Sequence, residues 1–190
     1  MNLWGRSTAI VIFTLIAGTS VLGEPSDLNY HRRGDQQWHL SFGAGKNYRL
    51  PGGTLVPRLE FNVAAVEFET FTSSTTSIGY QLSVAGQTNH GDNDAISVFS
   101  NYRRYFLVHG RFSVNYKLGL GVMRLNDAVR GQATRNNFNE QVGVGLQYAT
   151  GSNSAITLDY TLYHASNAGI ERPNDGITAT IVAVDYCRHR

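Results

Sequence analysis

Residues 112–122 read FSVNYKLGLGV, and this stretch decides the fold. Apolar side chains occupy its even positions, while serine, asparagine, lysine and glycine occupy its odd positions. Successive side chains of a β-strand point to opposite sides, so a period of two separates an apolar face from a polar one. The same alternation occurs at residues 77–84, 141–148 and 155–162. The chain therefore contains several amphipathic strands.

Weaker alternating runs begin near Trp38, Leu55, Ala95 and Ile177. They bring the total to about eight strands of roughly 9–13 residues, the length that crosses a bilayer at a tilt. Polar turn sequences separate the runs, for example at residues 51–53, 89–93 and 150–153. This pattern predicts an all-β protein, an eight-stranded antiparallel transmembrane β-barrel.

Alternation alone also fits a soluble β-sandwich whose apolar faces form the core. Two features of the strands favour the barrel. Their polar faces are rich in glycine and small or amide residues, which suit a narrow lumen, and tyrosine and phenylalanine recur towards strand ends, as in an interfacial girdle. A periplasmic sandwich that binds an apolar ligand is the alternative.

The N-terminal residues 1–23 read as a secretory signal. They contain an early cation, Arg6, an apolar run at residues 9–17 and the small residue Gly23 at the expected cleavage edge. The run is shorter than the roughly 20 apolar residues of a spanning helix, although a retained anchor is the alternative. We expect residues 24–190 to be exported and to form one barrel domain in the bacterial outer membrane.

Composition narrows the function classes. The formal net charge of +2 does not favour nucleic-acid binding, and the single cysteine, Cys187, excludes an internal disulfide. Histidine, cysteine and carboxylate residues do not recur at metal-ligand spacing, so we predict neither a structural metal nor a cofactor. A homodimer is compatible with this composition.

Polar-face residues are expected to form a network in the lumen: Glu60, Asn62, Lys117 and Asp159.

His164 and Ser166 are two residues apart and therefore share one face of a strand. It is the even face of residues 156–162, which is apolar and predicted to meet lipid. If eight strands alternate from a periplasmic N-terminus, the seventh runs outwards and ends beside the outer leaflet. An imidazole next to a serine hydroxyl can deprotonate it for attack on an ester carbonyl. The alternative is a pair of interfacial polar residues that end a strand.

The surrounding residues 163–177 read YHASNAGIERPNDGI and resemble the PagL-type lipid A 3-O-deacylases. Residues 138–146 and 118–122 are similar to the sixth and fifth strands of that family. The resemblance implies a serine carboxylic-ester hydrolase that removes the 3-O-linked acyl chain from lipid A of lipopolysaccharide in the outer leaflet. It implies that Ser166 is the nucleophile and His164 the general base.

The resemblance also implies candidates for stabilising the oxyanion, a role that hydrogen-bond donors fill. They are Asn167, the backbone N–H of Gly169, and Asn174. Residues 173–176 read PNDG, which equally predicts a turn, and both roles can hold at Asn174.

The third catalytic position departs from the family, which has a glutamate where this chain has Thr178. Glu140 is our expected replacement. A hairpin that turns near residues 151–153 with an even-sum register places Glu140 across from or diagonal to His164, at a Cβ separation of about 4.5–5.5 Å for direct partners. Asp175 and Thr178 are the alternatives. The departure also leaves open a catalytically silent barrel with a structural or lipid-organising role.

Overall fold

The alternating segments form eight antiparallel strands that close into a barrel in the computed structural model, which describes residues 31–48, 56–89 and 93–190. The strands are β1 (Gln36–Asn47), β2 (Glu60–Phe71), β3 (Thr76–Gln87), β4 (Asp94–His109), β5 (Phe112–Leu125), β6 (Asn136–Gly151), β7 (Ser154–Ser166) and β8 (Ile177–His189). Each strand pairs with the next along the chain, and β8 pairs with β1, which leaves no open sheet edge. The predicted fold class is confirmed.

The predicted signal peptide at residues 1–23 lies outside the described residues. Among the residues that are described, no helix is long and apolar enough to cross a membrane.

The two ends of the barrel differ in the length of their connections. Residues 72–75, 110–111 and 152–153 make short turns at one end, whereas residues 48–59, 88–93, 126–135 and 167–176 connect strands at the other. Outer-membrane barrels have short periplasmic turns and longer extracellular loops. The C-terminal end of β7 and the start of β8 therefore lie at the extracellular end.

The even positions of the alternating strands point outwards. In β5, Leu118, Leu120 and Val122 are exposed, while Asn115 and Lys117 are buried in the lumen. The same holds in β7, where Ile156 and Leu158 are exposed. An outward apolar face meets lipid in a transmembrane barrel. The predicted parity is confirmed for these strands.

The lumen is apolar in its extracellular half. Phe99, Met123 and Tyr163 are buried there, together with Leu59 and Ile177. They line a cavity of about 100 Å³. A layer of three amide side chains lies below this half: Gln141 Nε2 donates to Asn101 Oδ1 at 2.8 Å, and Asn101 Nδ2 donates to Gln81 Oε1 at 3.0 Å.

The periplasmic half of the lumen is polar and charged. His39 lies between two carboxylates, with Nε2 2.6 Å from Glu69 Oε2 and Nδ1 2.6 Å from Asp185 Oδ2. The Arg103 guanidinium lies 3.1 Å from Glu69 and 3.0 Å from Glu67. We call these five residues the periplasmic cluster. It connects β1, β2, β4 and β8 across the lumen, and all five side chains are buried.

Two of the four residues predicted for the lumen network lie inside the barrel. Lys117 and Asp159 are buried inside the barrel, as expected. Glu60 and Asn62 were wrongly placed, because the inward positions of β2 are odd: Phe61 and its odd neighbours line the cavity. Glu60 instead pairs with Arg58 outside the lumen, at 2.7 Å.

Candidate active site on the outer face of β6, β7 and β8

Three neighbouring strands bring the predicted catalytic residues together at the extracellular end. In the β6–β7 register Glu140 is the direct partner of His164, and in the β7–β8 register Thr178 is its partner on the other side. His164 is thus flanked by Glu140 and Thr178 on one outward-facing row. The even-sum register expected from the hairpin is confirmed.

The imidazole of His164 turns towards β8. Its Nδ1 lies 2.8 Å from Thr178 Oγ1, within hydrogen-bond distance. If Nδ1 carries the proton and donates it to this hydroxyl, Nε2 keeps its lone pair and is the ring nitrogen able to act as a base. The carboxylate of Glu140 is exposed, and no hydrogen bond joins it to His164, although both residues are described.

Gly176 lies next to the Cε1 and Nε2 atoms of the His164 imidazole. A Cβ atom at this position would lie 2.5 Å from His164 Cε1 and 3.0 Å from Nε2, so only glycine leaves room for the imidazole. The backbone of Gly176 also has a φ of +70°, in the left-handed region that favours glycine. Gly176 was not among the predicted site residues. Its position immediately before β8, in a turn sequence, was the available signal.

Ser166 is the last residue of β7, half-buried on the same outward face as His164. Its partner across β6 is Phe138, whose side chain is exposed to the lipid side. Within residues 93–190, which are described without a gap, no hydrogen bond joins Ser166 Oγ to His164. Catalytic hydrogen bonds are often long before substrate binds and shorten in the complex.

The loop at residues 167–176 is held by the side chain of Asn167, which is buried. Its Oδ1 accepts a hydrogen bond from the Gly169 N–H at 2.9 Å, and its Nδ2 donates to the Glu171 carbonyl at 2.8 Å. The Asn167 N–H donates to Asn174 Oδ1 at 3.0 Å. The predicted oxyanion donors Asn167 and Gly169 are therefore engaged with the loop itself. The Nδ2 of Asn174 is the predicted donor that these loop bonds leave available.

Backbone hydrogen bonds fix the same loop to the β5–β6 loop. The Ala133 N–H donates to the Pro173 carbonyl and the Asp175 N–H donates to the Gly131 carbonyl, both at 2.9 Å. Gln132 and Asn174 form the intervening bridge. Asp175, the remaining alternative for the third member, is thereby placed in this loop contact. The arrangement gives the end of β7 a rigid extracellular border.

The electrostatic surroundings of the pair are mixed. One carboxylate, Glu140, lies on the neighbouring strand, and a neutral hydroxyl, Thr178, contacts the ring directly. A base and a nucleophile on one lipid-facing row can act only on a substrate that is itself in the membrane interface. The arrangement therefore suits hydrolysis of an ester in a membrane lipid.

Comparisons with known proteins identify the family and the fold. The family model of lipid A 3-O-deacylase (PagL) matches residues 59–186. No individual curated protein matches the chain.

Similar solved structures share the barrel. The crystal structure of the outer membrane enzyme PagL has 17% sequence identity and a TM-score of 0.57, covering 78% of this chain and 97% of that one. Neisserial surface protein A has 10% identity and a TM-score of 0.61, with 81% and 96% covered. OprG from Pseudomonas aeruginosa has 8% identity and a TM-score of 0.51, with 86% and 100% covered. At such identities these likenesses establish the fold alone.

The family model spans well over half of the chain and includes β2 to β7 and most of β8. The protein belongs to the lipid A 3-O-deacylase (PagL) family and is a β-barrel of the bacterial outer membrane.

Proposed function

We propose that this barrel hydrolyses the 3-O-linked acyl ester of lipid A in the outer leaflet, with Ser166 as nucleophile and His164 as general base. The observation that carries the proposal is the position of the two residues. They lie on the lipid-facing side of β7 at its extracellular end, and the imidazole is oriented by Thr178 at 2.8 Å. A lipid of the outer leaflet would present its acyl esters to the barrel wall near that end.

The reaction follows the serine hydrolase scheme. His164 Nε2 takes the proton from Ser166 Oγ as this oxygen attacks the ester carbonyl. The tetrahedral intermediate collapses, and the 3-hydroxyl of lipid A leaves with the proton from the imidazolium. Water, deprotonated by the same imidazole, then hydrolyses the acyl-serine and releases the hydroxy fatty acid.

Two groups beside the pair would assist. The Asn174 Nδ2 is our candidate donor to the oxyanion, because Asn167 and the Gly169 N–H already bond within the loop. Glu140 remains our proposal for the charged third member, directly opposite His164 on β6. In this arrangement Thr178 orients the ring, and the Glu140 carboxylate stabilises the imidazolium by charge at short range.

The test is deacylation of purified lipid A in detergent micelles, followed by mass spectrometry. We expect the parent barrel to remove one hydroxyacyl chain and Ser166→Ala to remove none. Ser154→Ala is the matched control, since Ser154 begins the same strand at the opposite end of the barrel. If Ser166→Ala cleaves as fast as Ser154→Ala, the assigned nucleophile is wrong.

A catalytically silent barrel with a lipid-organising role is the second candidate. It is favoured by one observation, the neutral Thr178 hydroxyl that contacts His164 where the family resemblance implies a glutamate. Under this candidate a correctly folded parent barrel deacylates no lipid A variant.

A further inference from the structure

We propose that the periplasmic half of the lumen binds one divalent metal ion of the zinc type between His39 Nδ1, Asp185 Oδ2 and Cys187 Sγ. The three ligand atoms lie close together: 2.6 Å separates Nδ1 from Oδ2, 3.2 Å separates Sγ from Nδ1, and 3.4 Å separates Sγ from Oδ2. All three residues are buried. This site is distinct from the proposed active site, because it lies inside the barrel and at its opposite end.

The donor set is suited to zinc. Imidazole nitrogen, carboxylate oxygen and thiolate sulfur are its usual protein ligands, at about 2.0–2.3 Å from the ion. Tetrahedral bonds of those lengths separate ligand atoms by about 3.3–3.6 Å. The two separations that involve Cys187 Sγ already agree to within a few tenths of an ångström. The His39–Asp185 separation must widen by less than about 1 Å when the ion replaces the proton between them.

Each ligand also has an outer partner, as metal ligands in proteins usually do. The other ring nitrogen of His39 is 2.6 Å from Glu69 Oε2, which forms a carboxylate–histidine pair behind the site. The second oxygen of Asp185 accepts a hydrogen bond from Ser41 Oγ at 3.1 Å. Cys187 Sγ lies 3.5 Å from Thr157 Oγ1. These contacts hold the three donor atoms beside one another.

An unsatisfied polar group lies on the Glu69 side of His39. The Gln37 side chain is fully buried, and its Nε2 donates to the same Glu69 oxygen that contacts His39. Its Oε1 is buried without a hydrogen-bond partner. A water molecule as fourth ligand would complete a four-coordinate ion.

Metal binding leaves the net charge of the periplasmic cluster together with Cys187 unchanged. One divalent ion enters while two protons leave, one from the His39 imidazolium and one from the Cys187 thiol. The ion pairs of Arg103 with Glu67 and Glu69 can therefore persist in the bound state. The competing arrangement is an imidazolium that bridges two carboxylates beside an uninvolved thiol, and the experiment distinguishes the two.

The test uses Co²⁺ as a spectroscopic probe and Zn²⁺ as its competitor, with the untagged full barrel purified in detergent and stripped by a chelator. We expect one Co²⁺ per barrel with a thiolate-to-cobalt charge-transfer band, which Zn²⁺ abolishes. Cys187→Ser should lose that band. Ser41→Ala should keep the band but bind Co²⁺ about 10–100-fold more weakly, the usual effect of removing an outer partner.

Asp159→Asn is the matched control, because Asp159 is another buried lumen carboxylate that contributes no ligand atom to the site. It should bind Co²⁺ as the parent does, and heat-dependent gel migration checks that each variant is folded. Absence of a stoichiometric charge-transfer band in the folded parent overturns the proposal. So does a band of parent intensity in folded Cys187→Ser.

Discussion

Thr178 contacts the predicted base directly, whereas Glu140 faces the same base from the opposite strand. A hydroxyl can fix the ring in one tautomer, but it carries no charge to balance the imidazolium that forms during attack. In the proposed mechanism two residues therefore share a task that one carboxylate performs in a Ser-His-Asp triad. The proposed mechanism requires a hydroxyl at Thr178 and a negative charge at Glu140. Substitutions can remove the two groups one at a time.

Thr178→Val removes the hydroxyl with little change of shape. We expect kcat on lipid A to fall about fivefold, since one hydrogen bond contributes about 1 kcal/mol. Glu140→Gln removes the charge and should lower kcat by a similar factor. Thr178→Glu should raise kcat about fivefold above the parent, because a charge-assisted hydrogen bond is about twice as strong as a neutral one. Steady-state kinetics in mixed micelles measure all three.

The outcome at Glu140 decides the third member. Parent-like kcat in Glu140→Gln, together with a large loss in Thr178→Val, would remove Glu140 from the mechanism and leave Thr178 as the partner of His164. An equal kcat in Thr178→Val and the parent would instead show that the hydrogen bond at 2.8 Å does not orient the base.

Gly176 should be required for the position of His164. In Gly176→Ala the new methyl group would lie 2.5 Å from the imidazole, so the ring must move away from Ser166. We expect kcat to fall more than about tenfold, in line with the cost of misplacing a catalytic group by 1 Å. Gly110→Ala is the control: Gly110 also has a positive φ, of +57°, but a Cβ there meets nothing within 4 Å. If both variants lose activity equally, backbone strain and not the clash is responsible.

At the scale of the strands, the alternation in β3, β5, β6 and β7 was sufficient to predict these strands and which residues point outwards, and the hairpin at residues 151–153 predicted the β6–β7 register. The choice of a barrel over a sandwich also needed the glycine-rich polar faces and the aromatic residues near strand ends. The central residues of these strands keep the outward, even-numbered face apolar. β2 does not: its inward residues change from Phe61 and Val63 in the apolar half of the lumen to Glu67 and Glu69 in the charged half. The inward positions of β2 are odd throughout, but its apolar residues move from the inward face to the outward face along the strand, so polarity at its start indicated the wrong face for Glu60 and Asn62.

Other features of the site could not be predicted because they depend on closure of the barrel. His39 is near the start of β1 and Cys187 near the end of β8, yet they are direct partners in the β1–β8 register. The sequence separates the two by most of the chain and shows no metal-ligand spacing. The hydrogen bonds of Asn167 were equally hidden, since they require the loop conformation itself.

The loop at residues 167–176 should depend on Asn167 as a unit. Asn167→Ala removes the acceptor for the Gly169 N–H and the donor to the Glu171 carbonyl, each bond contributing about 1 kcal/mol. We expect the Gly169 amide to exchange with solvent at least about tenfold faster, with strand amides unaffected. Hydrogen exchange measured by NMR in detergent tests this. Asn136→Ala, which removes one exposed hydrogen bond to Arg124, should leave Gly169 exchange unchanged.

At the scale of the whole molecule, the barrel places its two sets of chemical groups at opposite ends. The lipid-facing pair lies outside the extracellular end, and the charged cluster fills the periplasmic half of the lumen. The extracellular half of the lumen, on the inner side of the wall that carries His164, is apolar. Tyr163 and Ala165 point inwards there. His164 and Ser166 thus lie on a strand whose inward residues at this level, Tyr163 and Ala165, are buried.

The periplasmic end is closed by His31, which precedes β1 and is buried against Phe71 with ring centroids 3.8 Å apart. Burial, with repulsion from His189 as the next cause, lowers the pKa of His31 from 6.5 to about 4. Between these values the unfolded chain binds a proton at His31 that the folded barrel does not. Stability therefore rises with pH across this window and falls on acidification from 6.5 towards 4.

His31→Phe should remove this pH dependence while keeping a stacked ring on Phe71. The measurement is the free energy of unfolding in lipid vesicles, obtained from urea titrations at several pH values. Between pH 6.5 and about 4 we expect it to fall further for the parent barrel than for His31→Phe, by about 3 kcal/mol at most. Other titrating groups are common to both proteins, so the difference between the two curves isolates His31. Parallel curves would mean that His31 is protonated equally well in the folded barrel, and that its ring does not stay buried at the periplasmic end as the pH falls.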